Sequence, residues 1–203
     1  MIPYTQLPPY YAQWGEDSWL EAHRRIPAHG IFVDVGAGDG NRGSNSLYFE
    51  NLGWSGLAID ADPRNAEALA ARQCATSTYA IAAEPGPRRF GMYARKPSWS
   101  GLARSGPEYA PITVECVRLE TLLTGQRIGS IDLLSIDVEG TELDVWDSFD
   151  HNLHPCRMII IEYDDRHPQR TRNCIHRHLG VDQYRVVHET AANLILEHQG
   201  NPW

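Results

Sequence analysis

Short apolar runs that each stop at a glycine or an acid constrain this chain most. "GIFVDVG" ends at Gly36, "GLAID" at Asp60, "IDLLSID" at Asp137 and "RMIIIEY" just after Glu162. Runs of this length, bounded by turn residues, read as strands buried on both faces. Helical stretches separate them. "SNSLYFENLG" is stopped by Gly53, and "ADPRNAEALAARQ" opens with Asp62 as N-cap and Pro63 at the first helical position. "TSTYAIAA" supplies a third strand, so the first half reads βαβαβ, the order of a parallel sheet with helices on both faces. A helix is also expected from about Glu16 to Arg25, another over "GTELDVWDSF", and another over "QRTRNCIHRHLG". "YRVVHE" and "ANLILEH" close the chain as an antiparallel hairpin. The expected fold is α/β, a Rossmann-like seven-strand sheet, mostly parallel, in a single domain over residues 1–203. Residues 1–27 form an N-terminal arm and helix. The segment 85–113 is an insert in which "RRFGMYA" and "ITVECV" pair antiparallel around a long polar loop carrying Trp99 and Tyr109.

In such a sheet, ligands bind beyond the carboxyl ends of the strands. Gly36 and Gly38 let the backbone approach a ligand. Asp60, 24 residues after Gly36, suits a carboxylate that takes ribose hydroxyls. The string Gly38 to Gly43 matches G-x-G-x-x-G, but it starts two residues too late for a dinucleotide turn. Asp34, inside the strand, would repel a pyrophosphate and suit a cationic ligand such as the amino group and sulfonium of S-adenosylmethionine. The plainer alternative is that Asp34 bonds loop amides.

The stretches "FVDVGAGDG", "SNSLYFENLGWSGLAID" and "IDLLSIDVEGTELDVW", together with the entry "AQWGEDSWL", resemble the FkbM-type methyltransferases from about Gln13 to Leu196. The resemblance implies a methyltransferase that uses S-adenosylmethionine and methylates a small-molecule hydroxyl in bacterial natural-product or sugar biosynthesis. Carried over by position, Asp34, Gly36 and Gly38 would face the methionine part. Asp60, with Ala61 after it, would hold the ribose. Ser44 and Asn45 would line the neighbouring loop, and Gln13, Glu16 and Asp17 would close over the cofactor. Ala12 stands where the family favours Ser. Adenine would lie beside Ala82 and Ala83, where many methyltransferases carry an acid, and would be read by backbone groups or by Glu84.

Asp137 ends the strand expected beside the first one, close to the methyl donor. Two readings stand. Asp137, or His167 beyond the next strand, is the base. Alternatively Asp137, Glu162 and Asp164 hold Mg²⁺, which wants oxygen ligands. Glu139 reads as an acid favouring the positive end of a helix, and Glu142 and Asp144 read as solvated helix acids. Trp99 and Tyr109 are candidate walls for the acceptor.

A net charge of −8 argues against nucleic acid, because phosphate binding relies on Lys and Arg. No apolar run approaches a membrane span and no C-x-x-C pair occurs, so the expectation is a reduced cytoplasmic protein with a small-molecule partner, its oligomeric state open. N-methylation, an NAD-dependent oxidoreductase and a non-catalytic nucleotide-binding protein are the alternatives.

Overall fold

Leu133 and Leu134 pack on opposite sides of one sheet, as do Phe32 and Val33, which is the period of two expected of strands covered on both faces. These residues belong to β7 (Ile131–Ile136) and β1 (Ile31–Val35), the centre of the fold. The computed structural model describes residues 9–23 and 26–200. Its main sheet has seven strands in the order β3-β2-β1-β7-β8-β10-β9. β2 is Ser55–Ile59, β3 Ala75–Ser77, β8 Cys156–Glu162, β9 Tyr184–Glu189 and β10 Asn193–His198. β3, β2, β1, β7 and β8 run parallel; β10 is antiparallel to both β8 and β9.

One face is covered by α4 (Leu119–Gln126), α5 (Glu142–Trp146) and α6 (Arg172–Leu179), through Leu119, Leu123, Val145, Trp146, Ile175 and Leu179. The other is covered by α1 (Glu16–His23) and α2 (Leu47–Asn51), through Leu20, Tyr48 and Phe49. Among the described residues no helix is long and apolar enough to cross a membrane.

Two expectations need correction. The third apolar run is divided. Ala75–Ser77 stays in the main sheet, whereas β4 (Ala80–Ile81) leaves it and pairs with β6 (Tyr109–Val117). With β5 (Gly86–Tyr93), antiparallel to β6 as expected, β4 and β6 form a separate three-stranded sheet. The helix after β2 starts late, as α3 (Ala66–Leu69). Asp62 instead closes a turn by accepting the backbone N–H of Arg64 at 3.0 Å. The first helix is described only to His23, so its expected end at Arg25 lies outside the described residues.

The register places the strand ends level. Val35 lies opposite Ile59 and Ile136, and Ile136 opposite Ile161. Gly36, Asp60, Asp137 and Glu162 therefore emerge side by side at one edge. Gly36 has φ +89°, and a Cβ there would lie 1.7 Å from the carbonyl oxygen of Asp137. Only glycine lets β1 and β7 leave the sheet this close together.

Candidate active site

Two adjoining cavities open at that edge. The larger, about 510 Å³, is lined by Gln13, Asp34, Gly38, Ser44, Asn45 and Asp137, with Lys96 and Ser98 at its rim. The second is a slot bordered by Asp60, Ala61, Tyr79, Ile81, Phe90 and Leu102. They share Gly36, Gly38, Pro97, Ser98 and Asp137. The loop after β5, with a 3₁₀ turn at Pro97–Trp99, roofs both. Arg64 ties that loop down by donating to the Tyr93 carbonyl and the Ser100 hydroxyl, each at 3.0 Å, while paired with Asp62.

The residues expected at the cofactor mostly converge here, each held by identifiable partners. Asp60 accepts backbone N–H groups from Gly38 and Asp62 and a side-chain N–H from Asn65, all at 2.9 Å. A carboxylate offers about four lone-pair sites, so about one remains for a ligand hydroxyl. Burial nevertheless pushes its pKa up to about 6. Among the described residues no loop amide donates to Asp34. It accepts the Ser46 hydroxyl at 2.6 Å and is buried, which raises its pKa. Asn45 donates to Ser135 at 3.1 Å, and Ser44 accepts the backbone N–H of Leu47, also at 3.1 Å. Arg72, not expected at the site, fastens this loop through the Gly40 carbonyl at 2.7 Å and the Ser46 hydroxyl at 3.1 Å.

Glu16 and Asp17 do not line the cavity. Both are fully buried. Asp17 accepts the backbone N–H groups of Tyr11 and Ala12 at 2.6 and 3.1 Å, and Glu16 accepts that of Trp14 at 3.1 Å and the Asn193 amide at 2.7 Å. Their work is to fold the loop that carries Gln13 and Tyr11 to the cavity. Ala82 is also fully buried, behind the slot rather than along it. Ala83 donates its N–H to Asp144 and Glu84 gives its backbone carbonyl to Arg88. Tyr79, Ile81, Phe90 and Leu102 line the slot. Trp99 and Tyr109 face away from both cavities. Each packs against Tyr93, with ring centroids 5.4 and 5.3 Å apart, along a separate cleft.

The acids after β7 and β8 form one group. Asp137, Glu139 and Glu162 each place a carboxylate oxygen within 4.8 Å of the others. The expected third member, Asp164, is absent from it. Asp164 accepts Arg166 Nε and Nη2 at 2.8 Å each, and its pKa falls because of that partner. Glu139 is no simple helix acid. It sits at φ +60°, pairs with Arg104 and joins the group. Glu142 is no solvated acid either: it is 1% exposed and accepts both Nε and Nη2 of Arg170, at 2.9 and 3.1 Å. Arg170 also contacts Glu162. Asp144 pairs with Arg88 at 3.0 Å, and Thr141 makes no side-chain cap for α5. His167 lies at the rim of a different cavity, largely exposed, with Nε2 3.6 Å from Asp164.

Two guanidinium groups thus face four carboxylates. Among the described residues Asp137 alone of the four has no cation against it. Burial and the neighbouring Glu139, Glu142 and Asp34 raise its pKa. Glu162 is pushed up too, by burial and by Asp137, Glu142 and Glu139, although Arg170 touches it. Asp137 and Glu162 titrate together, so a proton in the free site is shared between them. Any divalent ion placed there would compete with the arginines already bound to Glu139 and Glu162.

The arrangement is a two-part cavity at the carboxyl edge of a parallel sheet, with an uncompensated carboxylate at the junction. Comparison with curated proteins finds no match. Comparison with family models matches residues 34–198, from the strand acid Asp34 to the end of β10, to the methyltransferase FkbM domain. That match takes in the whole acid group, the slot and all of the larger cavity's lining except Tyr11 and Gln13, and the chain belongs to the FkbM methyltransferase family.

Proposed function

We propose that this protein transfers the methyl group of S-adenosylmethionine to a hydroxyl of a small molecule, with Asp137 as the base. The observation that carries the reading is the half-buried Asp137 carboxylate, free of any paired cation among the described residues, at the junction of the two cavities. The residues present fit the cofactor. Asp34 and Asp137 give the larger cavity an acidic wall, suited to an ammonium and a sulfonium. Asp60 keeps an acceptor site for a ribose hydroxyl. The slot beyond it is flanked by Tyr79, Ile81 and Phe90, as a flat adenine requires. A Cβ built on Gly38 would meet nothing within 4 Å, so the space before that backbone is open to a ligand.

The cofactor, when bound, supplies an electrophilic methyl group. The chain supplies the rest. An alcohol is about as hard to ionise as water, pKa near 15.7, so its oxygen needs a partner for the departing proton. Asp137 would take up that proton while the bound cofactor supplied the methyl group. Arg170 and Arg104 hold Glu162 and Glu139 in place around it. A sulfonium held beside Asp137 would lower its pKa and favour the carboxylate form.

Calorimetric titration tests the reading. S-adenosylhomocysteine is expected to bind and NAD is not; the reverse result would end it. Asp60→Ala is expected to weaken S-adenosylhomocysteine by about 10- to 100-fold, the loss of one charge-assisted hydrogen bond worth about 1.5–3 kcal/mol. An unchanged dissociation constant removes Asp60 from the site. Dialysis against EDTA is expected to leave methyl transfer within about twofold, because arginines already balance Glu139 and Glu162. Loss of turnover that Mg²⁺ restores would replace the base reading with a metal one.

A further inference from the structure

The arginines around the acid group and the cofactor loop are paired. Arg64 pairs with Asp62, Arg72 with Glu50, Arg104 with Glu139, and Arg170 with Glu142 and Glu162. Two other cations line the larger cavity, and both are solvent-exposed: Arg42, on the loop after β1, and Lys96, on the roof. Asp39 stands three residues before Arg42, yet its Oδ1 accepts the backbone N–H groups of Asn41 and Arg42, each at 2.9 Å. Among the described residues no acid pairs with the Arg42 guanidinium or the Lys96 ammonium. The ammonium rests 4.7 Å from the centre of the Trp99 ring, a weaker contact than a charge-assisted hydrogen bond. Lys96 is the only lysine in a chain of net charge −8. The sign of the charge therefore changes along this cavity. Asp34 and Asp137 make its floor acidic, with Asp34 3% exposed, and two unpaired cations stand at its mouth.

Resting on the methyltransferase reading of Asp137, we propose that this mouth is an anion subsite for the methyl acceptor. The acceptor is a hydroxy acid. Its carboxylate lies between Arg42 and Lys96, and its hydroxyl reaches Asp137 in the same cavity. Arg42 offers a planar fork that grips a carboxylate through two parallel N–H bonds. Lys96, on a flexible stem, turns from the Trp99 ring to the stronger partner. The two cations also offset the acidic floor for an incoming anion, whereas a neutral acceptor gains nothing from them. The carboxylate of the cofactor is the rival occupant. It shares a carbon atom with the ammonium, so a cofactor whose ammonium meets buried Asp34 keeps both groups at the floor, away from the exposed mouth.

The single lysine supplies a reporter. Reductive methylation with ¹³C-formaldehyde keeps the charge of Lys96 and gives one side-chain NMR signal beside that of the α-amino group. The probes are 4-hydroxybenzoate and 4-hydroxybenzamide, alike in shape and different in charge. With S-adenosylhomocysteine bound, the benzoate is expected to shift the Lys96 signal, saturating in the millimolar range usual for so small a ligand. The amide is expected to leave it in place. Arg42→Gln should raise the benzoate dissociation constant by about tenfold, and Arg42→Lys, which keeps the charge, by less. Both variants should hold S-adenosylhomocysteine within about twofold of the wild type by calorimetry, which shows that they fold. Binding of S-adenosylhomocysteine with no benzoate response, an equal response to the amide, or a response untouched by Arg42→Gln each overturns the anion subsite. So does a Lys96 signal that moves with S-adenosylhomocysteine alone but not with 5′-methylthioadenosine, which lacks the amino-acid end; the two cations then hold the cofactor. If S-adenosylhomocysteine does not bind at all, the methyltransferase reading falls and the acceptor role with it.

Discussion

Asp137→Asn is expected to abolish the preference of this protein for a charged cofactor. The variant should lose about 10- to 100-fold in affinity for S-adenosylmethionine and little for S-adenosylhomocysteine. The two ligands differ by a methyl group and a positive charge, and among the described residues Asp137 is the carboxylate of the acid group with no arginine paired to it. In the wild-type protein the same contact makes binding pH-dependent. Burial and nearby acids raise the Asp137 pKa, so the free site holds a proton that a sulfonium must expel. S-adenosylmethionine should therefore bind more tightly as pH rises through that raised value, releasing a proton, while the neutral thioether shows a flatter profile. Calorimetry in buffers of different ionisation enthalpy counts the proton. Turnover with an acceptor should fall by about 10²–10⁴-fold, the usual contribution of a positioned base. Equal losses for both ligands would show that Asp137 shapes the cavity and does not face the sulfonium.

The parts of this site legible in the sequence are those fixed by local rules. Strands buried on both faces must be apolar runs, and their ends must turn, so Gly36, Asp60 and Asp137 announce the edge of the sheet. Asp34 stands out because an acid inside such a run needs a reason. What the sequence hides is decided by partners far along the chain. Glu142 and Glu139 look like helix acids until Arg170 and Arg104 come to them across 28 and 35 residues. Glu16 and Asp17 look like a lid over the cofactor, yet they spend their acceptors on backbone N–H groups of the preceding loop. The slot for a flat ring is unreadable for a topological reason. The run after α3 continues without a break in composition, but the chain passes from one sheet to another between Ser77 and Ala80. That change buries Ala82 and brings Tyr79 and Phe90 forward. Trp99 points outward because the other side of its short turn already roofs the cavity.

Arg170→Met is expected to be the most destabilising single change at the site. Arg170 bonds Glu142 through two nitrogens and contacts Glu162, and its side chain is only 12% exposed. Removing one partner of a buried pair typically costs about 3–5 kcal/mol, because the charge left behind has lost its water and its counter-ion. For a chain of this size that is a fall in melting temperature of roughly 6–20 °C. The carboxylates of Glu142 and Glu162 are what the loss strands. Glu142→Gln in the Arg170→Met background should therefore recover part of the loss, since it removes one stranded charge. Thermal melting of the wild type, the single variant and the double variant is the measurement. A double variant no more stable than Arg170→Met would mean that Arg170 acts by packing its chain against α5 and α6, and that the acid group is balanced by other means.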